Sequence, residues 1–212
     1  VFSSSIGKKL LMSLTGLFLC TYLVVHLAGN LLLLRQDGGK MFDEYAEFLP
    51  SLWIVTVIEI GLFALFILHI ISGTVLWFQI RAARPQKYSA NKPQENSSFF
   101  SRTMFLTGSI VVIFLVVHLR TFWVTSRFYH DEYPSMYAIA RTAFADPLYS
   151  LFYVLAVALL AFHLRHGFQS AFQTFGLKTK KYAPLIEGGA VIFWLLIPAA
   201  FAYIPIHFLM NS

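Results

Sequence analysis

Charge is what this sequence has least of. Asp, Glu, Lys and Arg make up only 12% of its 212 residues, against about 25% in soluble domains. Cysteine is nearly absent as well. Cys20 is the single one, which excludes an intrachain disulfide and any cysteine-ligated iron–sulfur cluster held by this chain. No cleavable signal peptide is expected. Lys8 and Lys9 precede the first apolar run, but that run is too long for a signal core and shows no small-residue cleavage site.

What the chain has instead is apolar length. Hydrophobic residues reach 58% and gather into five runs of the length that spans a bilayer. They are Leu11–Leu34, Leu52–Ile80, Met104–Ser126, Leu148–Phe172 and Leu185–Leu209. The runs leave no room for a separate soluble domain, so residues 1–212 are expected to form one all-α membrane domain of five transmembrane helices. The 22 Phe fit membrane packing and interfacial belts.

The net charge of +6 reflects topology rather than nucleic-acid binding. Lys8 and Lys9 precede helix 1. Arg81, Arg84, Lys87, Lys92 and Arg102 follow helix 2, opposed only by Glu95. Lys178, Lys180 and Lys181 follow helix 4. The alternate loops are balanced or acidic, with Arg35 and Lys40 against Asp37, Asp43, Glu44 and Glu47 after helix 1, and Arg127 and Arg141 against Asp131, Glu132 and Asp146 after helix 3. Basic loops stay in the cytoplasm, so the N-terminus is expected inside and the C-terminus outside.

An internal repeat organises four of the helices. Leu14-Thr15-Gly16 precedes Leu23-Val24-Val25-His26-Leu27, and Leu106-Thr107-Gly108 precedes Leu115-Val116-Val117-His118-Leu119. Helices 2 and 4 share His-x3-Gly-x5-Gln, as His69, Gly73, Gln79 and as His163, Gly167, Gln173. Helices 1–2 and 3–4 therefore read as two parallel copies of one unit, with helix 5 outside it.

The repeat places one histidine in each of four helices. By helical rise, His26 and His118 lie about 23 Å from the inner helix ends, and His69 and His163 about 16 Å. They sort into an outer pair, His26 with His118, and an inner pair, His69 with His163. A polar side chain at membrane depth faces the bundle interior and needs a partner. Neutral imidazole is a good iron ligand, and two of them fill both axial positions of a haem, leaving electron transfer as its task. The expectation is a four-helix bundle holding two b haems. Gly73 and Gly167 lie one turn from their histidines, where a side chain would crowd a ring, and Gly16 and Gly108 lie near the depth of the inner pair. The alternative for the same glycines is close helix packing. His166 shares a face with His163 and is the other candidate ligand of the inner haem, or a partner for a propionate or quinone. His130 and His207 suit interfacial roles.

The chain resembles the cytochrome b membrane subunit of succinate dehydrogenase and fumarate reductase, in the single-chain, five-helix, di-haem bacterial form. The likeness covers nearly the whole chain. It rests on Ser4-Ser5-Ile6-Gly7-Lys8-Lys9, on Ser13-x-Thr15-Gly16 leading to His26, on His69 and His118, and on His163-x3-Gly167 followed by Gly176. It implies a bacterial cytoplasmic membrane, a flavoprotein subunit that oxidises succinate, and an iron–sulfur subunit docked on the cytoplasmic face. It also implies menaquinone as the membrane reactant and Ser13 as a partner of an inner-haem propionate. Ser13, Trp77, Gln79, Arg102 and His166 are quinone candidates near the inner haem. Glu59, inside helix 2, is either a proton-handling group at an outer quinone site or a paired structural carboxylate. Two other classes fit part of the pattern: a cytochrome b of a hydrogenase, formate dehydrogenase or nitrate reductase, and a haem-free transporter built from repeats.

Overall fold

In lipid, a long apolar segment satisfies its backbone only by becoming a helix or joining a closed barrel. The computed structural model describes residues 4–82, 99–129, 132–133 and 135–211, and its regular elements there are all helical. Five helices are long and apolar enough to cross a membrane: Ile6–Leu34, Trp53–Ala82, Met104–Phe128, Pro147–Thr174 and Ala183–Met210. They are called spans 1 to 5 below, and they coincide with the five apolar runs. The chain is an all-α, multi-pass membrane protein. Arg84, Lys87, Lys92, Glu95, His130 and Asp131 lie outside the described residues.

The span ends are set by local chemistry. The Ser4 side chain accepts from the Gly7 amide at 3.0 Å and caps span 1. Asp146 accepts from the Leu148 and Tyr149 amides at 2.7 and 3.1 Å, with Pro147 in the first turn, and caps span 4. These groups satisfy amides that a helix start leaves orphaned. Span 4 ends at Gly176, whose φ of 72° is open to glycine at no steric cost.

Spans 1 to 4 form a ring. Span 1 packs along spans 2 and 4, and span 3 packs along span 4. Neither diagonal, 1 with 3 or 2 with 4, packs closely, and spans 2 and 3 touch sparsely. That 2–3 seam is held near its ends. Toward the N-terminal face, Trp77 stacks on Phe105 with centroids 4.0 Å apart. Toward the far face, the Glu59 carboxylate accepts from Arg127 at 2.8 Å and from the Trp123 indole N–H. Span 2 has no buried residue. Span 5 lies against span 4, where Phe193 stacks on Phe168 at 4.7 Å.

Two short helices cap the far face: Lys40–Ser51 between spans 1 and 2, and Met136–Ala145 between spans 3 and 4. Both stretches fall where the apolar runs predict loops, since they are short and amphipathic and not of membrane-spanning length. They extend the repeat, which becomes span, cap helix, span, twice over. The caps bond to one another: the Asp43 carboxylate of the first accepts the Tyr137 amide of the second at 2.8 Å. Gly39, at φ 89°, lies directly against the Tyr137 ring, so both its backbone and its lack of a side chain are required. Phe42, Ala140 and Phe144 bury beneath the caps with Leu33, Tyr153, Ile204 and Phe208.

Candidate metal centre

Ring geometry brings the four repeat histidines together across the two open diagonals. His26 and His118 have ring centroids 5.8 Å apart at an interplanar angle of 82°. His69 and His163 are 6.3 Å apart at 71°. Spans 1 and 3 supply the first pair and spans 2 and 4 the second, so the pairs occupy two levels of one bundle. The His69–His163 level is the nearer to the N-terminal face.

Three of the four rings are held by their Nδ1 side. His118 Nδ1 is hydrogen-bonded to the Tyr153 hydroxyl. The Tyr22 hydroxyl and the Asn30 amide lie at 3.3 and 3.4 Å from His26 Nδ1. His69 Nδ1 meets Thr15 Oγ1 at 3.1 Å. His163 Nδ1 is buried without a hydrogen bond of ordinary geometry, with the Met104 carbonyl close by. Aromatic rings pack round the upper pair: Tyr22 stacks on His26 at 5.2 Å, Phe201 of span 5 lies 5.7 Å from it, and Phe114 and Phe122 flank His118 at 5.7 and 5.2 Å.

The glycines line this arrangement in a repeated way. A Cβ on Gly16 would meet His69 Cε1 at 3.2 Å, and one on Gly108 would meet His163 Cε1 at 3.2 Å. Both glycines therefore stand beside the lower pair, at the depth the spacing anticipates. Gly73 and Gly167 instead face methionine tips: a Cβ there would meet Met12 Cε at 3.2 Å and Met104 Cε at 3.5 Å. Met12 and Met104 each precede their threonine by three positions, a further term of the repeat.

Do these residues fit a haem? A metal–imidazole bond is about 2 Å, so two imidazoles on opposite sides of one ion have ring centres about 6 Å apart. Both pairs match that spacing. Among the described residues no group of three or more His, Cys, Asp or Glu side chains gathers. A donor set of two neutral imidazoles suits an ion that arrives with its other ligands already attached, as haem iron does. The residues fit the group.

The remaining candidates fall in several places. Ser13 is buried at 8% exposure and makes no side-chain hydrogen bond among the described residues. His166 is half-buried on the N-terminal side of His163. Trp77 stacks on Phe105 and lies 4.9 Å from the Arg81 guanidinium. Glu59 is a paired carboxylate that joins spans 2 and 3. His207 lies at the far end of span 5, with the Asn211 amide donating to its carbonyl oxygen at 2.7 Å.

Two arginines went unnoticed in the sequence although both sit inside apolar spans. Arg165 is held between the Phe100 ring at 4.1 Å and the Trp194 ring at 4.7 Å. Arg120 lies over Tyr129 at 5.3 Å and donates to Thr125 Oγ1 at 3.4 Å. The signal was present, since His118-Leu119-Arg120 and His163-Leu164-Arg165 share the triplet His-Leu-Arg. Arg120 belongs to a π-helical turn, Leu119–Val124, directly after His118. Such turns recur at functional sites. It lines an open far-face cleft of ≈ 480 Å³ with Thr121, Tyr133, Thr142, Asp146 and Tyr149. The Tyr149 ring lies 5.3 Å from Tyr153, the partner of His118. Comparison with family models, curated proteins and solved structures finds no match to this chain.

Proposed function

We propose that the chain is the membrane subunit of a succinate:quinone oxidoreductase, carrying electrons between an iron–sulfur subunit and menaquinone through two b haems. The observation that carries this reading is the meeting of four span histidines as two pairs, 5.8 and 6.3 Å between ring centres, at two levels of one bundle. His26 and His118 hold the outer iron, and His69 and His163 the inner one. A bis-histidine haem supplies one-electron transfer with no open coordination position.

The protein's own residues supply the rest. The ring of spans holds each imidazole half-buried and turned toward its partner across the bundle. Gly16 and Gly108 leave room beside the lower pair, and Ser13 offers a hydroxyl at that level for a propionate. The N-terminal face is the cytoplasmic one on the charge pattern. Exposed Lys180 and Lys181, together with Lys178, present a basic surface there for the iron–sulfur subunit that the flavoprotein subunit reduces. The far-face cleft has the volume of a small-molecule site. Arg120 and Tyr133 line it and bring donors suited to the two carbonyl oxygens of a quinone ring. It lies beside Tyr149 and Tyr153, next to the outer pair.

The test is a reduced-minus-oxidised absorption spectrum of the complex purified from its native membrane, with haem quantified per chain. Two haems, reducible by succinate, are expected. A colourless chain would end the haem reading, and haem that only another donor reduces would move the chain to a different respiratory cytochrome b.

A further inference from the structure

The hydrogen bonds at Thr15 point to one tautomer of His69. A threonine hydroxyl has one proton to donate and two lone pairs to accept with. Thr15 Oγ1 lies 2.9 Å from the Leu11 carbonyl oxygen and 3.1 Å from that of Met12, four and three residues back in its own helix. Carbonyl oxygens only accept, so the single hydroxyl proton goes to them. Toward His69 Nδ1, 3.1 Å away, Thr15 can then only accept. The ring proton is on Nδ1, and Nε2 keeps its lone pair. Thr15 is buried at 2% exposure, so water does not compete for this bond.

The second repeat carries the same parts. Thr107 is buried at 4% exposure and lies 3.1 Å from both the Thr103 and Met104 carbonyl oxygens. Its hydroxyl proton is committed in the same way, which leaves its lone pair free. The His163 ring lies against the adjacent Gly108, where a Cβ would stand 3.4 Å from Nδ1. His163 Nδ1 is one of two buried side-chain polar atoms left without a hydrogen bond among the described residues, the other being the Tyr149 hydroxyl. The Met104 carbonyl near it is likewise only an acceptor.

From this we infer that Thr15 and Thr107 are the positioning residues of the inner centre. Thr15 accepts the Nδ1–H of His69 on the next span, and Thr107, at the matching place in the second repeat, is the acceptor we assign to His163 Nδ1, which has no bond in this structure. Both ligands of one iron are thereby locked in the tautomer that presents Nε2 to the metal. The glycine that follows each threonine, Gly16 or Gly108, lets the ring come close enough. The outer pair uses other partners, the Tyr153 hydroxyl and the Tyr22–Asn30 pair, so the device belongs to one centre. A ligand histidine that donates its second N–H is a stronger base and favours the oxidised metal. The two threonines therefore hold the inner haem at a lower potential than it would otherwise have. The inference rests on the haem reading above.

The experiment is redox potentiometry with optical and low-temperature spin-resonance detection on the purified complex, comparing the parent with Thr15→Val, Thr107→Val and Thr15→Ser. Valine keeps the shape and removes the acceptor, whereas serine restores it. Expected for each valine variant is an upward shift of the inner-haem midpoint, an altered inner-haem resonance, an unmoved outer haem, and about ten- to hundredfold weaker retention of the inner haem. Thr15→Ser should return to the parent values. A parent with two haems and valine variants with unchanged inner-haem potential, resonance and retention would overturn the inference while leaving the haem reading intact. A parent without haem would sink that reading instead. If a valine variant fails to assemble while the serine variant assembles with a shifted potential, the positioning role is also refuted.

Discussion

Three of the four histidines, His26, His69 and His118, meet different hydrogen-bonding neighbours, and that makes single replacements informative. On the haem reading, replacing His69 or His163 with alanine would take away one of the two imidazoles proposed to hold the inner haem. The expected outcome is loss of the inner haem with the outer one retained, read as a halving of haem per chain. Both haems surviving either change would contradict the pairing. Arg120 offers a second residue-scale test, at the far-face cleft. Replacing it with glutamine removes a charged donor, a bond of about 1.5–3 kcal/mol. That corresponds to a rise in quinone KM of about ten- to hundredfold. The haem spectrum should stay unchanged, and an unchanged KM would take Arg120 out of the quinone site.

Between elements, the sparse seam of spans 2 and 3 throws weight on Glu59. Its carboxylate serves Arg127 and the Trp123 N–H at once, where little else joins the two spans. Glu59→Ala strands that indole donor, at a cost of about 1–3 kcal/mol, and should lower the melting temperature of the purified complex. Glu59→Gln separates structure from proton handling. An amide oxygen still accepts from Trp123 but carries no proton at working pH. Turnover near the parent's in the glutamine variant is expected of a structural carboxylate, and a collapse of turnover with unchanged melting would assign Glu59 a proton-transfer role. The cap helices depend on a similar bond. Asp43→Ala leaves the Tyr137 amide without its acceptor and should cost about 1 kcal/mol, the usual worth of a helix cap. Faster proteolysis of the far-face caps would report it.

For the whole molecule, the repeat explains why one bundle carries two levels of histidines. Parallel copies place corresponding spans across the diagonals of the ring, so span 1 faces span 3 and span 2 faces span 4. Because His26 and His69 lie at different depths in one unit, copying the unit creates both pairs at once. Span 5 lies outside the repeat and contributes Phe201 to the upper pair. The basic residues of the N-terminal face make the largest-scale prediction. Neutralising Lys180 and Lys181 together should weaken co-purification of the soluble subunits and make it more sensitive to salt. Lys178 is excluded from that pair because it lies 3.9 Å from Glu187. Undiminished co-purification would count against docking there.

Composition and periodicity alone determined the five spans, the repeat and the four histidine positions. Those properties are local: apolar length forces helices in lipid, and a histidine within such a run is conspicuous. The depth argument also paired the histidines, because helical rise converts sequence position into height. Height says nothing about rotation, so only the tertiary structure decided what each ring touches. It gave Thr15 to His69, Tyr153 to His118 and methionine tips to Gly73 and Gly167. It also turned Glu59 from an isolated charge into the tie between spans 2 and 3, through partners more than sixty residues away. The cap helices stayed hidden because a short amphipathic stretch becomes a helix only once its apolar face has a surface to cover, and that surface is made by spans brought together from elsewhere in the chain.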